Sequence, residues 1–336
     1  MATLSDVARQ AGVSLATASR ALNGNGNRRV HPDLRDRVLD AARELRYRPN
    51  VLAQAMARGR SSTVALVVSD IADPFFSELA GGVTAAAKGS DAIVTLSSVG
   101  TDVEEKLRVI ELLHGQRAQA LILAGGTTAD EAELQQLRDE IANVKDSINI
   151  RVVAIGLPGL DVPTLRVPNR EASAELAKAM LGLGYRRFGL LIGPEGHVTA
   201  VNRLEGFREA VLAGGGEVVC EIQSGFSRDE GYRAMGELLQ LDDRPEIVFA
   251  PNDVAAAGVI ARAREAGLRV PEDIGVCGFD DIAILRDITP AFTTVKIDLA
   301  WMGKRGFELV MEDDDEIFEE NVPFEVILRG STRSIR

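Results

Sequence analysis

The side chains in this sequence best suited to chemistry form two groups, one near the N-terminus and one spread through the body. In the first, Leu15, Ala16, Thr17, Ser19 and Arg20 share one side of a short helical segment. Arg20 can donate a pair of hydrogen bonds to a guanine edge, Thr17 and Ser19 can reach phosphates or base edges, and Leu15 with Ala16 can touch thymine methyl groups. These small and polar types fit a major groove, although a generic helical hairpin would explain the same twenty residues. In the second group, Asp70, Asp73, Phe75, Phe76, Arg203, Phe226, Asn252 and Asp280 combine carboxylates, nitrogen donors and aromatic rings. Asp280 can accept from adjacent hydroxyls, Arg203 and Asn252 can donate to oxygens, and the phenyl rings can stack on a sugar C–H face or a heterocycle. Together they suit a small polar ring. His31, His114 and His197 are scattered, and no zinc spacing, phosphate loop or nucleophile elbow accompanies them. No metal, no cofactor and no enzymatic acid, base or nucleophile set is expected.

The elements that must position the first group are legible. Spacing predicts a helix from about Ser5 to Ala11, a tight turn at Gly12 and Val13, and a second helix opened by Ser14 as its N-cap. Val7, Val13, Ala18 and Leu22 form the shared apolar seam. Asn23 begins a turn-rich loop to Val30 whose Arg28 and Arg29 lie along a sugar-phosphate backbone. A third helix from Pro32 to about Leu45 closes the small core with Leu34, Val38, Leu39, Ala42 and Leu45. Tyr47-Arg-Pro-Asn50 breaks it. Val51 to Arg58 is Ala-rich and too short to be a stable helix alone, so it folds only on a partner.

Charge supports a nucleic-acid partner for this module. Residues 1–60 hold eleven arginines and no lysine against five acidic residues, a balance of +6, whereas the whole chain carries −12. A basic module on an acidic body is what phosphate neutralisation requires.

The full length of 336 residues suggests two or three domains. Strand-like runs (64–68, 93–96, 120–123, 152–155, 188–192, 217–222, 247–250, 274–279 and a last one near 323–329) alternate with helical segments near 76–88, 103–114, 130–143, 170–183, 200–213, 229–240 and 254–266. Such alternation implies parallel sheets covered by helices on both faces, in two subdomains with a cleft between them. Ligands in open α/β sheets sit beyond the C-terminal strand ends, which nominates Asp70, Asp73 to Phe76, Gly156, Gly193, Asn252 and Asp280. Plainer roles compete: Asp73 before Pro74 is a helix cap, Asn252 or Asp253 caps the next helix, Phe207 is core, and Phe76 and Phe226 suit burial. Cys220 and Cys277 read as buried free thiols in a reducing cytosol. The acidic run Glu312 to Glu316 reads as a solvated face. No membrane span is visible.

In order, Leu4-Ser-Asp-Val-Ala8, Ala11-Gly-Val-Ser14, Ser19-Arg20, Tyr47-Arg-Pro-Asn50, Asp73-Pro-Phe-Phe76, Arg203-Leu-Glu-Gly-Phe207, Asn252-Asp253 and Gly278-Phe-Asp-Asp281 resemble the lac repressor family of bacterial transcription regulators. The resemblance covers nearly the whole chain. It implies an N-terminal all-α helix-turn-helix headpiece (1–49), a hinge helix and linker (50–61), and an α/β periplasmic-binding-protein-like core of two parallel-sheet subdomains (62–336). The first subdomain would hold about 62–162 and 294–322, the second 163–293 and 323–336. By the same resemblance Ser14, Asn23, Tyr47, Asn50 and Ala53 join the DNA-binding residues, and Met56 stands where relatives carry a leucine that wedges into the minor groove. Arg203 occupies the position that anchors effector in many members, with Thr199 and Asp280 next. Two positions depart from the pattern: Gly156 replaces an aspartate, and Ile297 stands where several sugar responders have a polar side chain.

The function so implied is that of a ligand-responsive repressor binding a palindromic stretch of double-stranded operator DNA as a homodimer. Its expected effector is carbohydrate-like, a sugar or sugar phosphate, with a purine or nucleoside as the alternative. A non-regulatory small-molecule binding protein is the lesser alternative, and a pure transport binding protein of the same core is contradicted by the basic module. A transport carrier is further disfavoured because no secretory signal is present, so a cytoplasmic, nucleoid-associated location is expected.

Overall fold

The structure, a computed structural model, describes residues 2–23, 30–48, 61–126, 130–148, 150–312 and 316–335. Arg28, Asn50, Ala53 and Met56 lie outside the described residues, as do the rest of the expected hinge at 51–60 and the acidic residues 313–315. The chain divides into two compact units, Met1–Ser61 and Ser62–Arg336.

In the first unit, α1 (Leu4–Ala11), α2 (Leu15–Asn23) and α3 (Pro32–Glu44) follow the expected order. Thr3 caps α1: its hydroxyl accepts from the Asp6 N–H at 3.3 Å, and Asp6 accepts from the Thr3 N–H at 2.9 Å. This reciprocal pair satisfies N–H groups that the helix itself leaves open. Gly12 ends α1 at φ 63°, a left-handed geometry that glycine adopts without strain. The turn is pinned from α3, where Arg37 donates to the Ala11 carbonyl oxygen at 2.5 Å. Ser14 then caps α2 by accepting from the Thr17 N–H at 3.1 Å. Val7, Ala18 and Val38 are wholly buried among Ala8, Ala11, Ala21, Ala41 and Ala42, while Val13, Leu22, Leu45 and Tyr47 pack at the rim.

The second unit contains two parallel sheets. Strands β1 (Thr63–Val68), β2 (Ile93–Ser98), β3 (Ala120–Ala124), β4 (Arg151–Ile155), β5 (Thr164–Arg166) and β11 (Glu319–Asn321) form a six-stranded sheet in the order β11-β5-β4-β3-β1-β2. Helices α4 (Pro74–Ala87), α5 (Val103–Gly115), α6 (Glu131–Ile148) and α11 (Leu299–Met311) accompany it. Strands β6 (Arg187–Ile192), β7 (Glu217–Gln223), β8 (Ile247–Phe249) and β9 (Gly275–Cys277) form a four-stranded sheet in the order β7-β6-β8-β9. It alternates with α7 (Asn169–Leu183), α8 (Val198–Ala213), α9 (Arg228–Leu238) and α10 (Asp253–Glu265). An antiparallel pair, β10 (Thr294–Ile297) and β12 (Phe324–Ile327), carries the chain between the lobes. Central strands such as β1 and β3 are buried on both faces, which is why they read as unbroken apolar runs.

Among the described residues, strands β5, β10 and β11 and helix α11 escaped sequence reading, as did a 3-10 turn at Ala283–Leu285. β5, β10 and β11 have three or four residues, too few to show a period. α11 contains Gly303 and Gly306, which weaken intrinsic helix propensity. Tertiary packing overrides that weakness, because a methyl group at 303 would overlap the Leu79 carbonyl oxygen of α4. Gly303→Ala is therefore expected to destabilise the protein by roughly 1–3 kcal/mol, as overpacking does, despite alanine's better propensity. Urea unfolding followed by circular dichroism measures this, and a stabilised variant would contradict the close helix contact.

One expectation needs correction. Cys277 is buried, but Cys220 is only half-buried because β7 is an edge strand. Ile297 packs in the core with Val295 and Leu299.

Candidate functional site

In the headpiece, Ser14, Leu15 and Ala16 are exposed, and Leu15 has 51% of its surface open to solvent. Thr17, Ser19 and Arg20 are half-buried on the same helix. An apolar residue is left this open because α2 turns Ala18 and Ala21 inward, which puts Leu15 on its outer face. Thr17 Oγ1 lies 2.8 Å from Ser14 Oγ, which ties its hydroxyl to the cap. Arg20 Nε donates to the Ala16 carbonyl oxygen at 3.0 Å, laying the side chain along α2. Tyr47 is half-buried against the headpiece core, and its N–H donates to the Ala42 carbonyl oxygen at 2.8 Å.

In the body, a cavity of about 420 Å³ opens where the C-terminal strand ends of both sheets meet. Asp70, Phe75, Phe76, Thr199, Arg203, Phe226, Asn252 and Asp280 all line it. The β1–α4 junction supplies Asp70, Phe75 and Phe76. Thr199 and Arg203 stand on α8, Phe226 precedes α9, Asn252 caps α10, and Asp280 follows β9. Gly156 leaves its part of the wall without a side chain, and Gly193 is not among the lining residues.

Arg203 organises the floor. Its guanidinium donates to Asp280 Oδ1, the Pro251 carbonyl oxygen and Asn169 Oδ1, each at 2.8 Å, and stacks over the Phe279 ring at 3.8 Å. Both members of the Arg203–Asp280 pair are nearly sealed from solvent, at 5% and 3% side-chain exposure. Burial pushes the Asp280 carboxyl above its usual range, and Arg203 opposes the shift. Asp280 and Asp281 have φ of 104° and 56°, a strained geometry for non-glycine residues that their ion pairs help to hold. Asp281 pairs with Arg329, just past β12, at 2.6 Å and with Arg286 at 2.9 Å.

The plainer roles weighed for several residues are real and coexist with lining the cavity. Asp73 caps α4 by accepting from the Phe75 N–H at 2.9 Å. Asn252 caps α10 through Oδ1, accepting from the Ala255 N–H at 2.8 Å, and its Nδ2 donates to the Phe226 carbonyl oxygen at 3.0 Å. Asp253 turns into the core, where it accepts from Thr294 Oγ1 of β10 at 2.7 Å. Burial pushes its carboxyl well above the usual range, with Asp280 adding to the effect. Phe76 belongs to the core and also lines the cavity, edge-on to Phe75 with centroids 5.0 Å apart.

Sequence reading missed His197, Asn169 and Ser69. His197 caps the start of α8 without a side-chain hydrogen bond, and its ring lies edge-on to Phe226 at 5.1 Å. It fits only because residue 126 is glycine, where a methyl group would overlap the imidazole. Its one sequence signal is its place just before the helix carrying Arg203. Burial, with the charges of Arg203 and Lys106, lowers its pKa to about 4, so the ring is neutral at physiological pH.

Asp73 shifts the other way. Burial, reinforced by Asp280 and Asp70 against the Phe75 hydrogen bond and Arg203, pushes its carboxyl up to about 6. Since the ordinary value is 3.8, the folded state holds this proton more tightly than the unfolded chain does. The resulting stability is complete below the ordinary value and is lost as pH rises through about 6. Asp73→Asn keeps the capping oxygen and removes the charge, so at neutral pH the variant should be more stable by about 1–2 kcal/mol after discounting for partial exposure. The difference should vanish below about pH 4. His197 contributes with the opposite sign, losing stability as pH falls from 6.5 towards about 4, so the difference between variant and parent isolates Asp73. Urea titrations across this range check it, and equal stability at neutral pH would refute the shift.

Comparison with known proteins agrees with both units. Residues 3–50 match the family described as bacterial regulatory proteins, lacI family, and residues 177–332 match a periplasmic binding protein-like domain. The chain is 30% identical to the HTH-type transcriptional repressor CytR of Escherichia coli (strain K12), over 99% of this chain and 97% of the relative. It is 36% identical to the HTH-type transcriptional regulator GalS of Salmonella typhimurium, over 93% and 90%. The crystal structure of the lac repressor dimer bound to operator and the anti-inducer ONPF superposes with a TM-score of 0.85 at 25% identity, covering 99% of both chains. These relatives are regulators and not enzymes. The chain therefore belongs to the lacI family of bacterial regulatory proteins, as a transcriptional repressor with a helix-turn-helix DNA-binding domain and a periplasmic-binding-protein-like ligand-binding core.

Proposed function

We propose that the chain represses transcription from a palindromic operator as a cytoplasmic homodimer, and that a small hydroxylated ring in the interlobe cavity alters its hold on DNA. The cavity carries this reading: it lies between two lobes joined by β10 and β12, so a ligand touching both walls biases their closure. The lac repressor dimer, described with operator and an anti-inducer, supplies the parallel. Arg20 reads a guanine edge, Leu15 and Ala16 touch thymine methyl groups, and Ser14, Thr17 and Ser19 reach phosphates or base edges, while Asn23, Arg28, Tyr47 and Asn50 follow the backbone. A dimer suits a two-fold operator, because one headpiece contacts too little DNA for high specificity. It would also cover apolar surface on the edge strand β2, where Ile93 is 53% and Leu96 40% exposed.

A sugar is the first effector class and a nucleoside the second. The nucleoside reading is favoured by the paired rings Phe75–Phe76 and His197–Phe226, which offer stacking faces. Selecting bound sequences from a random DNA pool, then titrating sugars and nucleosides into the complex, tests the whole reading. Sequence-independent binding that only salt weakens would overturn it. Within the hinge, Ala53 and Met56 are proposed minor-groove contacts, with Met56 wedging between base pairs. Met56→Ala should then bend the operator less, as read from the mobility of circularly permuted fragments, and an unchanged bend would exclude the wedge.

A further inference from the structure

We infer that this cavity is built for an uncharged ring and excludes the phosphorylated forms of the same compounds, an inference that rests on the small-ring effector proposed above. The charged side chains of the wall are four carboxylates, Asp70, Asp73, Glu230 and Asp280, against two guanidinium groups, Arg203 and Arg228. Both cations already have partners. Arg203 already serves Asp280, Asn169 and the Pro251 carbonyl oxygen, and nothing replaces it at Asp280. A phosphate that captured this guanidinium would leave a buried carboxylate unpaired beside a dianion, the costliest arrangement a dry site can hold. Arg228 is half-exposed, pairs with Asp229 at 2.9 Å and lies over the Tyr232 ring.

The other nitrogen groups nearby do not restore the balance. Lys106 is buried behind the wall, donates to the Thr101 carbonyl oxygen at 3.1 Å and is not among the lining residues. His197 presents a neutral ring, and its Nδ1 is buried without a hydrogen-bond partner among the described residues. Such an imidazole suits a hydroxyl or a ring nitrogen better than an anion. The start of α8 lacks a side-chain cap and contributes a partial positive charge of about half a unit. The excess of two carboxylates over guanidinium groups in the wall outweighs it.

The test uses the full chain and matched pairs as probes: glucose and glucose 6-phosphate, ribose and ribose 5-phosphate, cytidine and cytidine 5′-monophosphate, adenosine and adenosine 5′-monophosphate. Calorimetric titration, with release from or retention on the selected operator as a second readout, compares the members of each pair. At least one unphosphorylated member is expected to bind, with its phosphorylated partner weaker by about 100-fold or more. Asp73→Asn, which keeps the helix cap, is expected to narrow that ratio by about threefold to tenfold at low salt. Binding of a phosphorylated member as tight as its partner's would overturn the inference while leaving the small-ring reading intact, and so would a ratio unmoved in Asp73→Asn. Silence from every pair would overturn the small-ring reading, and this inference with it.

Discussion

Arg203→Leu is expected to destabilise the core by about 3–5 kcal/mol and to abolish the response to effector. The magnitude is that of removing one partner from a buried ion pair, where the loss is dominated by the charge left behind. Here that charge is Asp280, 3% exposed and held at φ 104°, with Asn169 and the Pro251 carbonyl oxygen also losing a donor. Without Arg203 the stranded carboxyl is pushed still further above its ordinary value, so its contribution is retained at low pH and lost as pH rises. The gap between variant and parent should therefore widen from acid to neutral pH. Removing both charges, in Arg203→Leu with Asp280→Asn, should recover part of the loss, since an apolar and neutral pair leaves no bare charge. Urea unfolding of the single and double variants measures both effects. A single-variant loss below about 1 kcal/mol, or strict additivity, would show that the pair is not the keystone its burial suggests.

Arg20→Ala is expected to relax specificity at one base position by about 1–3 kcal/mol while leaving other positions unchanged. The side chain lies along α2 with Nε donating to the Ala16 carbonyl oxygen, beside the exposed Leu15 and Ala16. Leu15 and Ala16 supply only apolar contacts, which leaves Arg20 as the main hydrogen-bonding reader on this face. Binding of the parent and variant to a library of single-base changes in the selected operator decides the matter. If the variant weakens every sequence equally and also lowers the salt dependence, Arg20 is a phosphate contact and the reading of bases falls to other residues.

The headpiece was legible because its rules are local. Ser14 as a cap, Gly12 as a left-handed turn and Pro32 at a helix start each act within a few residues, and the seam of Val7 and Ala18 follows from helical period alone. The alternation of long strands and helices was legible for the same reason. α11 was not, since two glycines hide a helix that exists only because α4 admits it closely. The cavity was partly legible through the rule that ligands sit at C-terminal strand ends, and every residue which that rule nominated except Gly193 lines it. What each does there was not legible: Asn252 spends its amide on α10 and on Phe226, and Asp73 is both cap and wall.

The sequence by itself determined the family, the parallel-sheet architecture and the basic headpiece, because motif order, hydrophobic period and charge are properties of the chain read in one dimension. Only the tertiary structure decided that Arg203 is held by Asp280 seventy-seven residues away, that His197 fills the space left by Gly126, and that Ile297 belongs to the core. Those outcomes depend on which groups share a volume closed to water. Burial, and with it the value of a charge or a hydrogen bond, exists only once distant segments meet.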